Sequence, residues 1–312
     1  MREKEVKLVM ATIIMRKWQS ETDWLLIAEL LRCMPQSARH LIDLPWRLSA
    51  LALDSSENAR VWQHSDGRLV GFAAWQVPWA ALDYFVRPGM YQATVEAAIF
   101  DWAGQHFQEL DRERCRALPY WIELGEDDQE RRQAAEAHGF LLDSDYTYIQ
   151  LQHSLTGLST EVAIPNGFTL RPLAGAHEAE VYVALHRAAF ESTSMTLDWR
   201  LCSLRAPQYR PELDLVAVAP DGQLAGFCIG WMDGERYVGQ VEPIGVHPNF
   251  QQRGLGRALL VEILHRFKAH HASRVLVETG NTMLAAQALY ASVGFRPLST
   301  IIRKGKLATL TL

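Results

Sequence analysis

The sequence contains few cysteines, and no two of them are close together. Its four cysteines, Cys33, Cys115, Cys202 and Cys228, form no CxxC pair. Such spacing supports neither a zinc site nor a disulfide framework. We therefore expect no bound metal and a reducing compartment, the cytoplasm.

Long apolar runs and an excess of basic residues are also missing. No run approaches the ~20 apolar residues of a membrane span, and residues 1–15 become polar too soon for a signal peptide, so we predict a first strand there. The net charge of −5 lacks the basic field that nucleic acids and membrane surfaces attract. The sequence therefore favours a soluble protein that binds a small partner, with no nucleic acid and no membrane.

The chain is long enough for two domains, and it contains the same plan twice. It has 312 residues, of which 48% are hydrophobic and 21% charged, which is the balance of a globular protein. The turn dipeptide Asp66-Gly67 and the apolar segment after it recur at Asp221-Gly222. A turn dipeptide followed by alternating apolar residues is typical of a β-hairpin, so we predict one hairpin in each half.

Further segments repeat in the same order. YFVRP corresponds to IGVHP, and AHGF to SVGF, with an apolar helical stripe between the two in each half. We predict an α/β (α+β) fold of two tandem domains, each with a mixed, mostly antiparallel sheet flanked by helices. The domains are expected at 1–155 and 165–312, with a linker rich in Ser, Thr, Gly and Pro at 153–167.

A short glycine-containing segment, QQRGLG from Gln251 to Gly256, lies between a predicted strand and a long predicted helix. Unpaired N–H groups at a helix start point into such a loop, where the helix dipole is positive, and glycine lets a ligand approach the main chain. The segment suits a pyrophosphate, with Arg253 or Arg257 adding charge. The alternative is a tight strand-to-helix turn, since a lone GxG is weak evidence. Leu259 at the third position excludes the dinucleotide fingerprint GxGxxG.

Two motifs in the second half carry a resemblance to a known family. The pattern V-x-P-x-x-Q-x-x-G-x-G from Val246 to Gly256, followed by ALYASVGF from Ala288 to Phe295, resembles motifs A and B of the GNAT superfamily of acetyl-CoA-dependent N-acyltransferases. The tandem arrangement is similar to that of the mycothiol synthase type and its relatives. The resemblance implies acetyl-CoA as co-substrate and a bulge in the strand before the loop. It also implies that the co-substrate is bound by Gly245, Val246, Gln251, Gln252, Arg253, Gly254, Leu255, Gly256, Arg257 and Asn281.

The same resemblance implies two catalytic side chains. Gln240 stands where relatives of the mycothiol synthase type carry glutamate, and Glu242 lies two residues later on the same face of the strand. We expect Glu242 to accept the amine proton, directly or through a water; otherwise it is a solvated carboxylate at a strand end. Tyr290 would act as general acid towards the thiolate, its alternative role being a core aromatic. The family's commonest asparagine position is occupied here by Met283, which leaves Asn281 as the candidate.

The first half lacks the glycines of this loop. The positions of Gln251, Gly254 and Gly256 are taken by Tyr91, Thr94 and Glu96. With an acid in the loop, the first half is expected to repel a pyrophosphate. We therefore predict one acyl-CoA site, in the C-terminal domain, and a degenerate, structural N-terminal domain.

The function predicted is transfer of an acetyl group to a primary amine of a small molecule by direct attack in a ternary complex. Trp199 and Trp231, with residues 192–199, are candidates for the acceptor pocket. Two alternatives stay open: a non-catalytic acyl-CoA sensor or interaction protein, and a peptide or protein N-acetyltransferase. Gln240 weighs against identity with mycothiol synthase itself. We expect a monomer or homodimer.

Overall fold

The computed structural model describes residues 12–34, 42–51, 56–76, 79–114, 119–158 and 161–307. The strands in these ranges are β1 (Ile13–Lys17), β2 (Ala59–His64), β3 (Leu69–Gln76), β4 (Ala81–Val86), β5 (Pro119–Gly125), β6 (Leu142–Asp143), β7 (Tyr148–His153), β8 (Thr169–Pro172), β9 (Asp214–Val218), β10 (Leu224–Asp233), β11 (Val238–Val246), β12 (Arg274–Gly280) and β13 (Arg296–Leu307). The helices are α1 (Ser20–Arg32), α2 (Leu44–Leu51), α3 (Gln92–Arg114), α4 (Gln129–Ala137), α5 (Ala179–Phe190), α6 (Leu197–Arg205), α7 (Leu255–Ala269) and α8 (Leu284–Val293). The first strand predicted within residues 1–15 falls largely outside the described residues.

The chain forms two compact units. Unit 1 comprises Met1–Leu41, Leu51–Asp145 and Ile301–Leu312, and unit 2 comprises Ile42–Ala50 and Tyr146–Thr300. This division differs from two contiguous domains at 1–155 and 165–312 in three segments. Residues 146–155 join unit 2, because β7 pairs with β12. Residues 42–50 join unit 2, and the second half of β13 joins unit 1 because it pairs with β5 from Ile301 to Leu307.

Unit 1 is a mostly antiparallel sheet with the order β1-β2-β3-β4-β5, extended by the second half of β13. Its one parallel pair among the described strands is β4 with β5. The predicted hairpin is confirmed as β2–β3, which turns at Gly67 with a φ of +91°. The buried stripe of α3 packs on this sheet, where the Phe107 ring stacks on Trp75 at 5.2 Å.

Unit 2 repeats this plan with the order β7-β12-β11-β10-β9-β8. Its parallel pair is β11 with β12, and the second predicted hairpin is confirmed as β9–β10, turning at Gly222 with a φ of +86°. Helix α7 packs against one face of this sheet. Its Phe267 ring approaches Gly230 and Gly239 so closely that a Cβ on either glycine would lie 2.6 Å from the ring. Helix α5 covers the other face.

Helix α2 is a short piece of the N-terminal half that packs within unit 2. The ring of Trp46 lies 5.0 Å from that of Trp199, and Trp199 Nε1 donates to the Trp46 carbonyl at 3.1 Å. Both tryptophans are buried. Among the described residues, no helix combines the length and apolar character needed to cross a bilayer.

Candidate functional site

A gap opens between β11 and β12 in unit 2. The parallel register runs from Val238↔Arg274 to Gln240↔Leu276 and then stops, while β12 stays paired with β7 as far as Gly280. From Val241 onwards, β11 therefore diverges from its parallel neighbour. Ligands of α/β sheets bind beyond the carboxyl ends of parallel strands, so this divergence marks the candidate site.

The divergence coincides with a β-bulge in β11. Gly230 pairs with Val241 and Cys228 with Ile244, so β11 has one residue more than β10, at Glu242–Pro243. Proline has no N–H to donate and is tolerated in a strand at a bulge, which explains why this sequence bulges here. A proline inside a strand pattern was a readable signal for the bulge position. In unit 1 the β3–β4 register runs from Gly71↔Val86 to Gln76↔Ala81 without a shift.

The N–H and C=O groups of successive residues in β11 point alternately towards β10 and into the gap. The His247 N–H donates to the Ala225 carbonyl at 2.9 Å, so Gly245, two residues earlier, also faces β10, and Ile244 and Val246 direct their polar groups into the gap. The Val246 carbonyl accepts from Gln251 Nε2 at 3.2 Å. Of the two residues predicted here, Val246 therefore faces the gap and Gly245 does not.

Gly245 is a glycine because of packing. A Cβ at this position would lie 2.6 Å from the Phe227 ring and 3.1 Å from Ala189 Cβ of α5. A contact of 2.6 Å is essentially never seen with a real Cβ atom, so any larger residue would displace Phe227. Its role is to let α5 approach the sheet beside the site.

The loop from Gln251 to Gly254 is exposed, and its main chain is shaped to hold an anion. Gln252 and Gly254 both adopt left-handed conformations, with φ of +59° and +87°. The first helical hydrogen bond joins Ala258 N–H to the Gly254 carbonyl. Within the described residues, the N–H groups from Gln252 to Arg257 have no acceptor. Consecutive free N–H groups at a helix start form an anion-binding concavity.

The side chains of the loop leave this concavity open. Leu255 is buried in the core of unit 2 and anchors the first turn of α7. Arg253 reaches back to the Asn249 carbonyl at 3.1 Å, and Arg257 is exposed. Gly256 sits beside Leu289, where a Cβ would lie 3.3 Å from Cδ2. The loop therefore offers main-chain donors, with two arginines nearby.

Tyr290 lies on α8 and is buried. Its ring packs edge-on against Phe295 at 5.7 Å, and α8 ends at Gly294 with a φ of +109°. Burial, and then the charge of the Glu242 carboxylate, raise the pKa of the Tyr290 phenol above its ordinary value. The phenol is therefore protonated at neutral pH, and it is a weaker acid than an ordinary tyrosine.

The charge of Glu242 acts on Tyr290. Glu242 is half-buried at the bulge, and its carbonyl accepts from Trp231 Nε1 at 2.7 Å. Its carboxylate contributes to the raised pKa of both Tyr290 and Tyr182. Gln240 is only 3% exposed, and its Nε2 has no hydrogen-bond partner among the described residues.

Asn281 follows the end of β12 and borders the same gap. Its N–H donates to the Thr147 carbonyl at 2.9 Å, and its carbonyl accepts from Gln287 Nε2 at 3.1 Å. These bonds fix its main chain at the carboxyl end of the strand. Met283, two residues later, is exposed at the start of α8.

The corresponding region of unit 1 is occupied by its own side chains. There β4 and β5 pair in parallel at Ala81↔Trp121. Beyond that point Tyr84 donates to Glu96 at 3.3 Å, and the Arg131 guanidinium lies 4.6 Å over the Tyr84 ring. Glu96 is 7% exposed, and its burial raises the pKa of its carboxyl.

The position of Glu96 differs from the sequence-based expectation. Helix α3 begins at Gln92, so Glu96 lies in its second turn and points inward, whereas its counterpart Gly256 lies in the first turn of α7. Glu96 therefore fills the interior of unit 1 and does not lie in an exposed loop.

A comparison with protein families matches the part of the chain that contains this site. Residues 179–295 match the model of the acetyltransferase (GNAT) family. These residues form a GNAT acetyltransferase domain. It contains the bulged strand, the loop, the Glu242 carboxylate and Tyr290.

Curated relatives match part of the chain. A mycothiol acetyltransferase of Kineococcus radiotolerans is 37% identical over 162 residues, covering 50% of this chain and 52% of the relative. One of Salinispora tropica is 32% identical over 154 residues, covering 47% and 50%. The chain spans about half the length of the curated relatives it matches.

Solved structures show the same fold over nearly the whole chain. A GCN5-related N-acetyltransferase from Sphaerobacter thermophilus superposes with a TM-score of 0.63 at 18% identity, covering 96% of this chain and 97% of that one. A tandem GNAT protein from the clavulanic acid biosynthesis pathway gives 0.65 at 16% identity, covering 96% and 100%. At these identities the likeness concerns the fold alone.

Proposed function

We propose that this chain is an acetyl-CoA-dependent N-acetyltransferase that acetylates a primary amine of a small molecule. The observation that carries the proposal is the row of free N–H groups from Gln252 to Arg257, placed at the mouth of the β11–β12 gap. This row suits the pyrophosphate of coenzyme A. The gap beside it gives the pantetheine arm a path to Glu242 and Tyr290.

In this proposal each step is performed by a named group. The main-chain groups of Ile244 and Val246 hydrogen-bond the pantetheine arm and polarise the thioester carbonyl. Glu242 accepts a proton from the amine, directly or through a water, as the nitrogen bonds to the acetyl carbon. The carbon–sulfur bond then breaks, and Tyr290 donates its proton to the departing sulfur. The products are an acetamide and coenzyme A, formed by direct attack in a ternary complex.

The single site of the proposal is in unit 2. The filled interior around Tyr84, Glu96 and Arg131 supports a structural role for unit 1. We propose domains at 1–155 and 165–312 for the N-terminal degenerate copy and the C-terminal catalytic copy. Residues 42–50 and 146–155 pack in the catalytic copy, and the second half of β13 packs in the other.

The names of the curated relatives suggest one acceptor, that of mycothiol acetylation. Gln240 weighs against carrying this acceptor over to the present chain, since an amide cannot take the amine proton that a glutamate would take. An acceptor other than that of the relatives therefore fits better, and a peptide or protein amine is the second candidate.

The experiment is to incubate the protein with acetyl-CoA and a panel of primary amines and to measure free thiol above the buffer blank. We expect thiol release that depends on one class of amine and that falls in a Glu242→Gln variant with unchanged coenzyme affinity. Tight coenzyme binding without thiol release for any amine would favour a non-catalytic acyl-CoA sensor and overturn the proposed reaction.

A further inference from the structure

The Trp231 side chain binds the main chain of β11 at the bulge. Its Nε1 donates to the Glu242 carbonyl at 2.7 Å. Glu242 and Pro243 are the two residues that oppose a single residue of β10. A bulge interrupts the ladder and leaves its extra residue unpaired. The indole therefore supplies a hydrogen-bond donor to the strand at the point where its regular pairing fails.

The Trp231 ring is held firmly by its surroundings. It is 1% exposed, and the Trp46 ring lies 6.5 Å from it. The indole nitrogen is a donor only, so its role in the hydrogen bond cannot reverse. Because the ring is shielded from solvent, the bond to Glu242 has a fixed direction, and Trp231 presents almost no surface to an acceptor.

In the first copy, a glutamine takes the place of this tryptophan. Phe72 and Phe227 are at matching positions of the repeat. Four residues further on, the chain has Gln76 in β3 and Trp231 in β10. Gln76 Nε2 donates to the Asp83 carboxylate at 2.8 Å, and β3 pairs with β4 without a register shift. The indole donor and the bulge thus occur together, in the unit that contains the candidate site.

The main chain at Glu242 determines where its carboxylate lies. A general base must be within hydrogen-bond reach of the proton that it accepts. Side chains alternate between the two faces of a strand, so a bulge displaced by one residue would turn Glu242 to the other face. The indole bond opposes this displacement because it requires the Glu242 carbonyl at its present position.

We propose that Trp231 is a positioning residue for acetyl transfer. Its indole N–H fixes the Glu242 main chain and so directs the Glu242 carboxylate towards the acceptor amine. This role rests on the proposed acetyl transfer and deepens it. Trp231 acts only through Glu242 and contacts neither the acceptor nor the coenzyme.

The test removes the indole N–H and keeps the ring. Replacing Trp231 with 3-benzothienylalanine puts sulfur in the place of the N–H, and Trp231→Phe is the second variant. The same replacements at Trp75 are the matched control. Trp75 is also 1% exposed, it lies in unit 1, and its Nε1 has no acceptor among the described residues.

Each replacement is made both in the wild-type protein and together with Glu242→Gln. The latter removes the carboxylate and keeps the carbonyl that accepts from Trp231. Thiol release with acetyl-CoA and the panel amine that reacts fastest with the wild type gives kcat. Calorimetry with acetyl-CoA gives the coenzyme affinity separately.

Loss of the Trp231 N–H should lower kcat at least about tenfold, because the base is misplaced, and should leave coenzyme affinity unchanged. Together with Glu242→Gln, the same loss should cost less than about twofold, because the group through which Trp231 acts is already gone. The Trp75 replacements should leave kcat at the wild-type value. Wild-type kcat without the Trp231 N–H, or an equal loss in both backgrounds, overturns the role of Trp231.

A measurement on the wild-type protein covers variants that fail to fold. The hydrogen bond should give a scalar coupling between Trp231 ¹⁵Nε1 and the Glu242 carbonyl ¹³C. Absence of this coupling, when couplings across the β10–β11 ladder are seen, also overturns the assignment.

The outcomes separate this inference from the proposed reaction. If the wild type releases thiol and the Trp231 replacements change nothing, the reaction stands and the positioning role falls. If no amine releases thiol, the proposed reaction falls, and with it the role of Trp231 in acetyl transfer.

Discussion

At the residue scale, two side chains at the β11–β12 gap have environments that suit them to opposite tasks. Glu242 is half-buried at the bulge, and its carboxylate can accept a proton. Tyr290 is buried, and its phenol keeps its proton. Burial and the charge of Glu242 disfavour the phenolate, so Tyr290 is protonated before the proposed reaction begins. In the proposed reaction Glu242 is the base and Tyr290 the acid.

Replacing Tyr290 with phenylalanine tests this division. The ring remains in the core against Phe295, so coenzyme affinity and stability should stay near wild type, while kcat falls about a hundredfold because the leaving thiolate loses its proton donor. Steady-state kinetics and calorimetry with acetyl-CoA measure the two effects separately. Full turnover in this variant would return Tyr290 to a purely structural role.

The buried His186 leads to a second prediction at this scale, which concerns how the free energy of unfolding depends on pH. Its pKa is about 4 in the folded protein against an ordinary 6.5, so the unfolded chain binds a proton more readily. The stability that neutral His186 provides is present above pH 6.5 and is lost as the pH falls towards 4. Urea unfolding at pH 7 and pH 4.5 should show that the wild type loses about 2–3 kcal/mol more than His186→Phe. Equal losses in the two proteins would contradict a buried, neutral His186.

At the element scale, a loop, a bulge and a helix start combine to make the site. Glycine at 254 is required by its left-handed φ of +87°, and Pro243 marks the bulge that separates β11 from β12. In the first copy β3 and β4 pair without a bulge, and the positive-φ glycine of the loop, Gly89, lies three residues before α3, whereas Gly254 directly precedes α7. The first turn of the helix therefore differs in position between the two units. Small local differences thus leave one copy open and the other filled.

A Gly256→Asp variant tests the loop. The new carboxylate would lie at the start of α7 beside the free N–H groups and compete with a pyrophosphate for them. Acetyl-CoA affinity should fall at least a hundredfold, with little change in the unfolding midpoint.

Thr94→Asp is the matched control, because it places the same charge near the start of α3 in unit 1. Calorimetry should show unchanged acetyl-CoA binding for this variant. Wild-type affinity in Gly256→Asp, or an equal loss in both variants, would remove the loop from the binding site.

At the scale of the whole molecule, some segments of one half of the sequence pack in the unit that the other half forms. The duplication could be predicted from the sequence, because Asp66-Gly67 and Asp221-Gly222 are followed by the same apolar pattern. The loop could be proposed as a site from its glycines before a predicted helix, and Tyr290 from the resemblance of ALYASVGF to a family motif; both roles stay predictions. The placement of Trp46 in unit 2 could not, because a buried tryptophan in a short helix carries no information about which core it joins. The inward direction of Glu96 depended on where α3 begins, and helix ends are the least certain feature of a sequence pattern.

Trp46→Ala tests this placement. Removing a buried tryptophan costs about 3–5 kcal/mol, and the loss should appear as faster amide hydrogen exchange in α5 and α6 of unit 2. Trp75→Ala, the matched change in the core of unit 1, should instead accelerate exchange in α3. If Trp46→Ala accelerates exchange only in unit 1, the assignment of α2 is wrong.

The central claim is that one loop in one of the two copies holds the coenzyme. Amide hydrogen exchange with and without coenzyme A measures this most directly, read at residues 252–257 and at the matching residues 92–97 of unit 1. The account predicts that coenzyme A slows exchange at residues 252–257 and leaves residues 92–97 unchanged. Protection of residues 92–97, or no protection of residues 252–257 at saturating coenzyme A, would contradict it.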